Sequence, residues 1–264
     1  MKISEILDLH EYPLDRPDTR AYRDLVARCR ADLDADGLFN LDRFARPEAL
    51  AKTLALTLPR FDTESFRHER RHNIYFKRDV PGLAPDHPAL DMVETSNNTL
   101  CGDQIGDTPV MAIYHWQPLQ AFLADVMEKP ALYPMDDVMA SANVMSYRGG
   151  QALNWHFDRS EFTTTLLIQP PSEGGVFEYR RDLRTDDDPN YEGVAALLNG
   201  RDPEMVQMSV EPGTLNVFRG KNTAHRVTPS TGTDPRVIAV LTYYESPGAT
   251  FTDEERLGFY GRVS

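Results

Sequence analysis

Short β-prone runs, separated by Gly, Pro and Ser, follow one another through the second half of this chain of 264 residues. Turn residues at such regular intervals reverse the chain between strands. Many short strands with turns between them are typical of a β-sandwich or jelly roll. The predicted strands are residues 138–147, 153–157, 163–169, 176–179, 214–218, 224–227 and 237–244.

The first half of the chain has apolar residues at helical spacing in three places, residues 19–33, 47–56 and 118–127. A short strand is predicted at residues 38–41, after Asp36-Gly37 ends the first helix. We interpret the helices as scaffold that packs on one sheet. The predicted fold is therefore mainly β with flanking α, a jelly-roll core with N-terminal helices.

We expect one domain over residues 1–264, because this length suits a single large core. A surface insertion with a short helix near residues 194–198 interrupts the strands, and its Asp186-Asp187-Asp188-Pro189 run is typical of a loop. The predicted parts are a helix-rich segment (1–137), a core (138–245) with the insertion (182–210), and a C-terminal tail (246–264).

Composition excludes several classes of partner. The net charge of −13 argues against nucleic acid, since binding to phosphates depends on Lys and Arg. Acidity also keeps many enzymes in solution, so it does not by itself identify a cationic ligand. No apolar run approaches the length of a membrane span, and residues 1–5 lack a secretory signal pattern, so a cytoplasmic location is expected. Cys29 and Cys101 are expected to be buried thiols.

The stretch Asn154-Trp155-His156-Phe157-Asp158 places a His and an Asp two residues apart. Side chains alternate faces along a strand, so His156 and Asp158 are expected on one side, with Trp155 opposite and in the core. His225, on another predicted strand, can complete three ligands for one metal ion. Two imidazoles and one carboxylate with an open face describe the facial triad of non-heme Fe(II) oxygenases.

A second pair of histidines, His68 and His72, stands four residues apart. Three arginines surround them, and no carboxylate is suitably placed for a metal. We therefore interpret this segment as a solvated charge run that enters a strand at residues 73–76. The polar run at residues 94–99 is either the border of a ligand pocket or a turn.

Arg236 begins an otherwise apolar strand, Arg236-Val237-Ile238-Ala239-Val240-Leu241. A buried guanidinium needs a partner, and its planar fork matches a carboxylate. Tyr147, just ahead of the Gly149-Gly150 turn, offers a hydroxyl to the same anion. A structural salt bridge is the alternative role for Arg236.

Taken together, these elements resemble the core of the Fe(II)- and 2-oxoglutarate-dependent dioxygenases. The resemblance covers residues of about 138 to 245 and implies a double-stranded β-helix fold. It rests on the ordered occurrence of 147–158, Gly174-Gly175-Val176-Phe177, Gly213-Thr214-Leu215-Asn216-Val217-Phe218, His225-Arg226-Val227-Thr228-Pro229 and Arg236.

The resemblance implies roles for single residues. His156, Asp158 and His225 become the Fe(II) ligands. Arg236 becomes the partner of the distal carboxylate of 2-oxoglutarate, and Tyr147 a second contact. The implied cofactor is Fe(II), with 2-oxoglutarate and O2 as cosubstrates.

The whole chain further resembles the branch that holds radical halogenases of free, lysine-like amino acids and related hydroxylases. The residues that carry this likeness include Gly37-Leu38-Phe39, residues 72–76 and Ser96-Asn97-Asn98. In the halogenases of that branch, Gly at the acidic ligand position leaves a coordination site for chloride. Asp158 fills that position here, so the resemblance implies hydroxylation of an unactivated C–H bond.

A free basic amino acid needs a carboxylate for its ammonium group and polar or cationic groups for its own carboxylate. Each candidate residue has a solvated turn as its alternative setting. The acidic candidates are Asp136, Asp137 and Glu161, and the polar candidates are Asn73, Asn97, Asn98 and Arg159.

Two other functions stay open. A cupin-like metal-binding protein without turnover shares the jelly roll, because fold does not fix function. Such a protein has no need for a carboxylate clamp at Arg236, which favours the oxygenase. An oxygenase that acts on another small metabolite or on a protein side chain is the second alternative.

Overall fold

The structure is a computed structural model that describes residues 1–77, 80 and 82–264. No helix within these residues is long and apolar enough to cross a membrane. The helices in this part of the chain are α1 (Ile3–Ile6), α2 (Arg20–Asp36), α3 (Pro47–Thr57), α4 (Pro109–Tyr114), α5 (Gln117–Val126), α6 (Tyr191–Leu198) and α7 (Asp253–Tyr260). The strands are β1 (Leu38–Leu41), β2 (Phe66–His72), β3 (Val93–Leu100), β4 (Tyr133–Pro134), β5 (Ala142–Tyr147), β6 (Gln151–His156), β7 (Thr163–Gln169), β8 (Phe177–Arg180), β9 (Val206–Met208), β10 (Leu215–Phe218), β11 (Ala224–Ser230), β12 (Arg236–Leu241) and β13 (Tyr243–Tyr244).

The described strands form two main antiparallel sheets. The larger sheet has the order β1-β10-β7-β12-β5-β3-β2, and the smaller has the order β6-β11-β8-β9. The sheets face each other, since Phe177 of β8 contacts Phe218 of β10 with ring centroids 5.4 Å apart. The result is a double-stranded β-helix, so the predicted jelly roll is confirmed.

The N-terminal helices cover one face of the larger sheet. Alternate residues of β12, Val237, Ala239 and Leu241, belong to the same buried cluster as residues of α2, α3, α4 and α5. Phe122 of α5 is fully buried in that layer, with its ring centroid 6.2 Å from that of Phe39 in β1. The predicted packing of these helices on one sheet is confirmed.

Strands β2 and β3 extend the larger sheet from residues before 138, and the sequence did not predict either of them. The run at residues 94–99 is strand rather than turn. Residues 73–76 were expected to be strand, but they follow β2 as a turn in which Asn73 Oδ1 accepts hydrogen bonds from the backbone N of Tyr75 and Lys77. Strands β2 and β3 are both rich in polar residues, so a search for apolar periodicity does not detect them.

The insertion at residues 182–210 carries α6 and β9. Helix α6 covers the outer face of the smaller sheet, where Val194, Ala224 and Trp155 are buried in one cluster. Trp155 is therefore core, as predicted. The smaller sheet is thereby shielded on its outer face and directs its other side chains toward the larger sheet.

Candidate metal centre

The two histidines of the predicted triad lie directly opposite each other in the smaller sheet. His156 ends β6 and His225 is the second residue of β11, and the antiparallel register pairs the two. Their ring centroids are 4.1 Å apart. The ring of His225 also contacts Phe218 of the larger sheet at 4.8 Å, so both imidazoles point into the space between the sheets.

Asp158 completes the group from a position just beyond β6, and not on the strand as expected. Its backbone N donates a 3.0 Å hydrogen bond to the carbonyl of Gly220. The carboxylate Oδ1 lies 3.3 Å from Nε2 of His156, and Oδ2 lies 3.5 Å from Nε2 of His225. One potential ligand atom from each of the three residues lies within 4.8 Å of the others.

Hydrogen bonds to backbone carbonyls fix the orientation of both imidazoles. Nδ1 of His156 donates to the carbonyl of Asn154 at 2.8 Å, and Nδ1 of His225 donates to the carbonyl of Thr223 at 3.0 Å. Because a carbonyl can only accept, each Nδ1 carries a proton. Each Nε2 therefore faces Asp158 and is the atom that can bind a metal.

Charge favours a cation at the point where these atoms meet. Burial and the proximity of His225 lower the pKa of His156. Burial opposes ionisation of Asp158, but attraction to His225 and His156 holds its pKa well below the usual range. Burial also opposes protonation of His225, but the Asp158 carboxylate raises its pKa overall. A divalent ion can take the place of the proton that the raised pKa of His225 favours.

The donor set itself fits Fe(II). Two imidazole nitrogens and one carboxylate oxygen on one side of an ion are the ligands of non-heme iron oxygenases. Within the described residues, no fourth His, Cys, Asp or Glu joins this group. The opposite face of a bound ion is therefore left for ligands other than protein side chains.

Arg236 meets the requirements of an anion site. It begins β12, opposite Tyr147 of β5, and only 6% of its surface is exposed. No described residue forms an ion pair or a side-chain hydrogen bond with its guanidinium, so the alternative of a structural salt bridge lacks a partner here. The carbon Cζ of Arg236 lies 5.9 Å from the centroid of the Tyr147 ring. A buried cation without a partner is costly, which indicates that an anionic ligand belongs there.

Ser230 adds a hydroxyl that the sequence did not single out. Its buried Oγ has no hydrogen-bond partner among the described residues. A Cβ placed on Gly175 would lie 3.0 Å from Ser230 Oγ and 3.2 Å from Arg236 Cδ, so both side chains flank the same glycine. An unpaired hydroxyl beside an unpaired guanidinium suits a carboxylate. The signal available in the sequence was only its place directly after Thr228-Pro229.

His72 corrects the interpretation of a solvated charge run. Arg67, Glu69 and Arg71 are exposed as expected, but only 4% of the surface of His72 is exposed. Its Nε2 accepts a 3.0 Å hydrogen bond from Thr95 Oγ1, which in turn accepts one from the backbone N of Asn154. Strands β2 and β3 therefore form a wall beside the metal centre.

Phe76 and Arg70 continue this wall toward solvent. The Phe76 ring stacks on His72 with centroids 4.3 Å apart, and its centroid lies 6.4 Å from that of His156. The guanidinium carbon of Arg70 lies 4.8 Å from the Phe76 ring centroid. No described carboxylate forms an ion pair with Arg70. Arg70 therefore has no ion-pair partner among the described residues, and the sequence did not identify it.

The acidic candidates for substrate binding lie in different surroundings. The carboxylate of Asp137 is buried and accepts hydrogen bonds from Arg256 Nε and from the backbone N of Phe251, Met139 and Ala140. Glu161 pairs with Lys129 at 2.7 Å. Asp136 is exposed and has no ion-pair partner among the described residues. The contacts of Asp137 are those of a structural residue that holds the start of α7.

The polar candidates also divide by their contacts. Asn73 supports its own turn, and Asn98 is held between Ser65 and Gln151. The Asn97 side chain is buried, and its amide nitrogen donates to no described residue. Arg159 directly follows Asp158, but its side chain is 79% exposed and pairs with Glu255 of α7. Asn97 is the polar candidate with free hydrogen-bonding capacity.

The structural role of Asp137 can be measured against its neighbour. We expect Asp137→Asn to lower the free energy of unfolding by about 2 kcal/mol, because it weakens hydrogen bonds to a buried charge. The pKa of Asp137 is lowered in the fold, because hydrogen bonds from Arg256 and the backbone outweigh burial. This stabilisation is therefore present at neutral pH and is lost as acidification protonates the folded carboxylate.

Chemical denaturation at pH 7 is the measurement for Asp137→Asn. The control is Asp136→Asn, which changes an exposed neighbour and should alter stability by less than about 0.5 kcal/mol. Equal stability of the two variants would contradict a structural role for Asp137.

Comparisons with known proteins agree with this fold. The model of the Halogenase D family matches residues 95–253, which is more than half of the chain. No curated protein matches this chain. Among solved structures, the fold is similar to AviO1 from Streptomyces viridochromogenes Tue57, with a TM-score of 0.57 and 17% identity over 86% of this chain and 97% of that one.

Two further structures are similar in fold. The α-ketoglutarate-dependent epimerase SnoN from nogalamycin biosynthesis has a TM-score of 0.56 and 14% identity, over 84% of this chain and 83% of its own. An oxidoreductase of the 2OG-Fe(II) oxygenase family from Burkholderia pseudomallei has a TM-score of 0.53 and 15% identity, over 85% of this chain and 92% of its own. SnoN has also been solved with Fe3+, α-ketoglutarate and a nogalamycin compound. At these identities the likeness concerns the fold.

Proposed function

Because the chain belongs to the Halogenase D family, we propose that it is an Fe(II)- and 2-oxoglutarate-dependent oxygenase. Its proposed reaction is hydroxylation of an unactivated C–H bond in a free amino acid with a basic, lysine-like side chain. The observation that carries the proposal is the convergence of His156, Asp158 and His225 in a fold that also buries Arg236 without an anionic partner among the described residues. A metal-binding protein without turnover has no need for such a cation.

The chain's own residues would hold the cofactor and cosubstrate as follows. Nε2 of His156, Nε2 of His225 and a carboxylate oxygen of Asp158 are the ligands for Fe(II). Bound Fe(II), together with 2-oxoglutarate, supplies the activation of O2 that oxidation of a C–H bond requires. Arg236 and Ser230 bind the distal carboxylate of 2-oxoglutarate, and Tyr147 is proposed as a further contact.

Asp158 favours hydroxylation over halogenation. A halide ligand needs a coordination position that no side chain occupies, and the Asp158 carboxylate lies between the two imidazoles. Its carboxylate is ionised at neutral pH, as a metal ligand must be, and attraction to His225 and His156 lowers its pKa further despite burial. The proposal therefore assigns this chain to the hydroxylating members of a family named for halogenases.

The wall formed by β2 and β3 supports a substrate that carries a carboxylate. Among the described residues the Arg70 guanidinium has no carboxylate partner and the Asn97 amide nitrogen has no acceptor, and Phe76 presents an apolar surface close to His156. These groups suit the α-carboxylate and the aliphatic chain of an amino acid. Asp136 is the acidic candidate without an ion pair among the described residues, and it is our proposed partner for the ammonium group.

Substrate-stimulated consumption of 2-oxoglutarate tests the function as a whole. With Fe(II) and O2 present, free basic amino acids should increase succinate formation above the level without substrate, because hydroxylation is coupled to that conversion. Acidic and purely aliphatic amino acids serve as controls. If no basic amino acid stimulates succinate formation, the proposed substrate class is wrong.

Arg236→Ala tests the binding of the cosubstrate. Loss of a charged hydrogen-bonding partner should weaken 2-oxoglutarate binding about 10- to 100-fold. Anaerobic titration of the Fe(II)-loaded protein measures this, with the visible charge-transfer band of the chelate as the signal. Arg148→Ala removes an exposed arginine and should leave the affinity unchanged. Unchanged affinity in Arg236→Ala would exclude the proposed role.

Asp158→Gly tests the acidic ligand. We expect this variant to lose substrate-coupled hydroxylation, since it removes the only carboxylate of the group defined by the described residues. Product analysis by mass spectrometry, with and without added chloride, measures both hydroxylated and chlorinated products. Full hydroxylation by Asp158→Gly would show that Asp158 is not a ligand.

A further inference from the structure

The two oxygens of the Asp158 carboxylate have different surroundings. Oδ2 accepts a hydrogen bond from Thr163 Oγ1, whereas Oδ1 has no hydroxyl donor among the described residues and lies 3.3 Å from Nε2 of His156. Thr163 is the first residue of β7 and lies opposite Phe218 of β10. The larger sheet therefore supplies the donor to Asp158, while the smaller sheet supplies the two imidazoles.

Gly220 encloses the same oxygen from another side. A Cβ at residue 220 would lie 2.2 Å from Asp158 Oδ2 and 2.8 Å from its Cγ, which no side chain could tolerate without displacing the carboxylate. Gly220 does not have a positive φ, so the glycine is needed for space and not for its backbone conformation. Oδ2 thus lies between the Gly220 backbone and the Thr163 hydroxyl.

We propose that Thr163 is a positioning residue whose hydroxyl holds Oδ2, so that Asp158 binds the metal through Oδ1 alone. This inference rests on the proposed function. An oxygen that is enclosed and accepts a strong hydrogen bond is a weaker metal ligand than one whose lone pairs are free. Outer-shell contacts of this kind orient the ligands and tune metal affinity.

The consequence concerns the open face of the ion. A facial triad is useful for catalysis because it leaves adjacent positions to exogenous ligands. If both oxygens of Asp158 were bound to the metal, the carboxylate would take one of those positions. By holding Oδ2, Thr163 therefore preserves room for the keto acid and O2 on the open face of the ion.

Anaerobic titration with Co(II) alone tests this role without relying on turnover. Thr163→Val keeps the shape of the side chain but removes the hydroxyl, and it should weaken Co(II) binding about 10- to 100-fold because the Asp158 carboxylate is no longer held in its binding orientation. The visible absorption of bound Co(II) should also change, because its intensity depends on coordination number. Thr163→Ser keeps the hydroxyl and should restore the affinity and spectrum of the unaltered protein.

Thr165→Val is the matched control. Thr165 lies two residues further along β7 on the same face, opposite Asn216, and its hydroxyl forms no hydrogen bond with a described side chain. Its substitution should leave the affinity and the spectrum unchanged. Thr163→Ala, which also lacks the hydroxyl, should behave like Thr163→Val and replaces that variant if it fails to fold. Melting temperatures establish that each variant is folded.

Two results would overturn the inference. If the unaltered protein binds Co(II) and folded Thr163→Val or Thr163→Ala matches it in affinity and spectrum, Thr163 has no positioning role, although the proposed function stands. If the unaltered protein binds no Co(II), the proposed metal centre fails, and this role for Thr163 fails with it.

Discussion

The direct pairing of His225 with His156 across β6 and β11 is the interaction on which the site depends. It fixes two imidazoles within contact of each other, and carbonyls of their own strands orient both rings. Only one further carboxylate is needed to complete the group. Asp158 completes the group from two residues beyond the end of β6. Its backbone N donates a hydrogen bond to the Gly220 carbonyl, which holds it there.

The larger sheet contributes the side chains around the metal ligands that the smaller sheet does not supply. Its outward face is fixed by the helices, while its inward face carries Arg236, Tyr147 and Thr163 toward the metal ligands. Burial of the Arg236 guanidinium lowers its pKa, and the chain supplies no anion among the described residues to offset that burial. The fold therefore positions the Arg236 guanidinium before any ligand binds, and the packing of the helices on the larger sheet fixes the strand that carries it.

Membership of a family named for halogenases and the presence of Asp158 are reconciled by the surroundings of that residue. Gly220 leaves room for a carboxylate, and Thr163 donates a hydrogen bond to it. These contacts come from the first residue of β7 and from the segment that follows β10. The site is thus adapted to an acidic ligand beyond the single residue that supplies it, which is consistent with the proposed hydroxylation.

The sequence by itself determined the jelly roll and strand β7 to the residue, because alternation along strands and the spacing of turns are local properties. Its resemblance to a known family grouped His156, Asp158 and His225, which lie together in the structure. It did not predict β2 and β3, whose polar residues carry no apolar period. Only the tertiary structure decided the roles of Ser230, Thr163, Gly220 and His72. Each depends on a contact made by a turn or by the packing of one sheet on the other, and such contacts have no periodicity that a sequence can display.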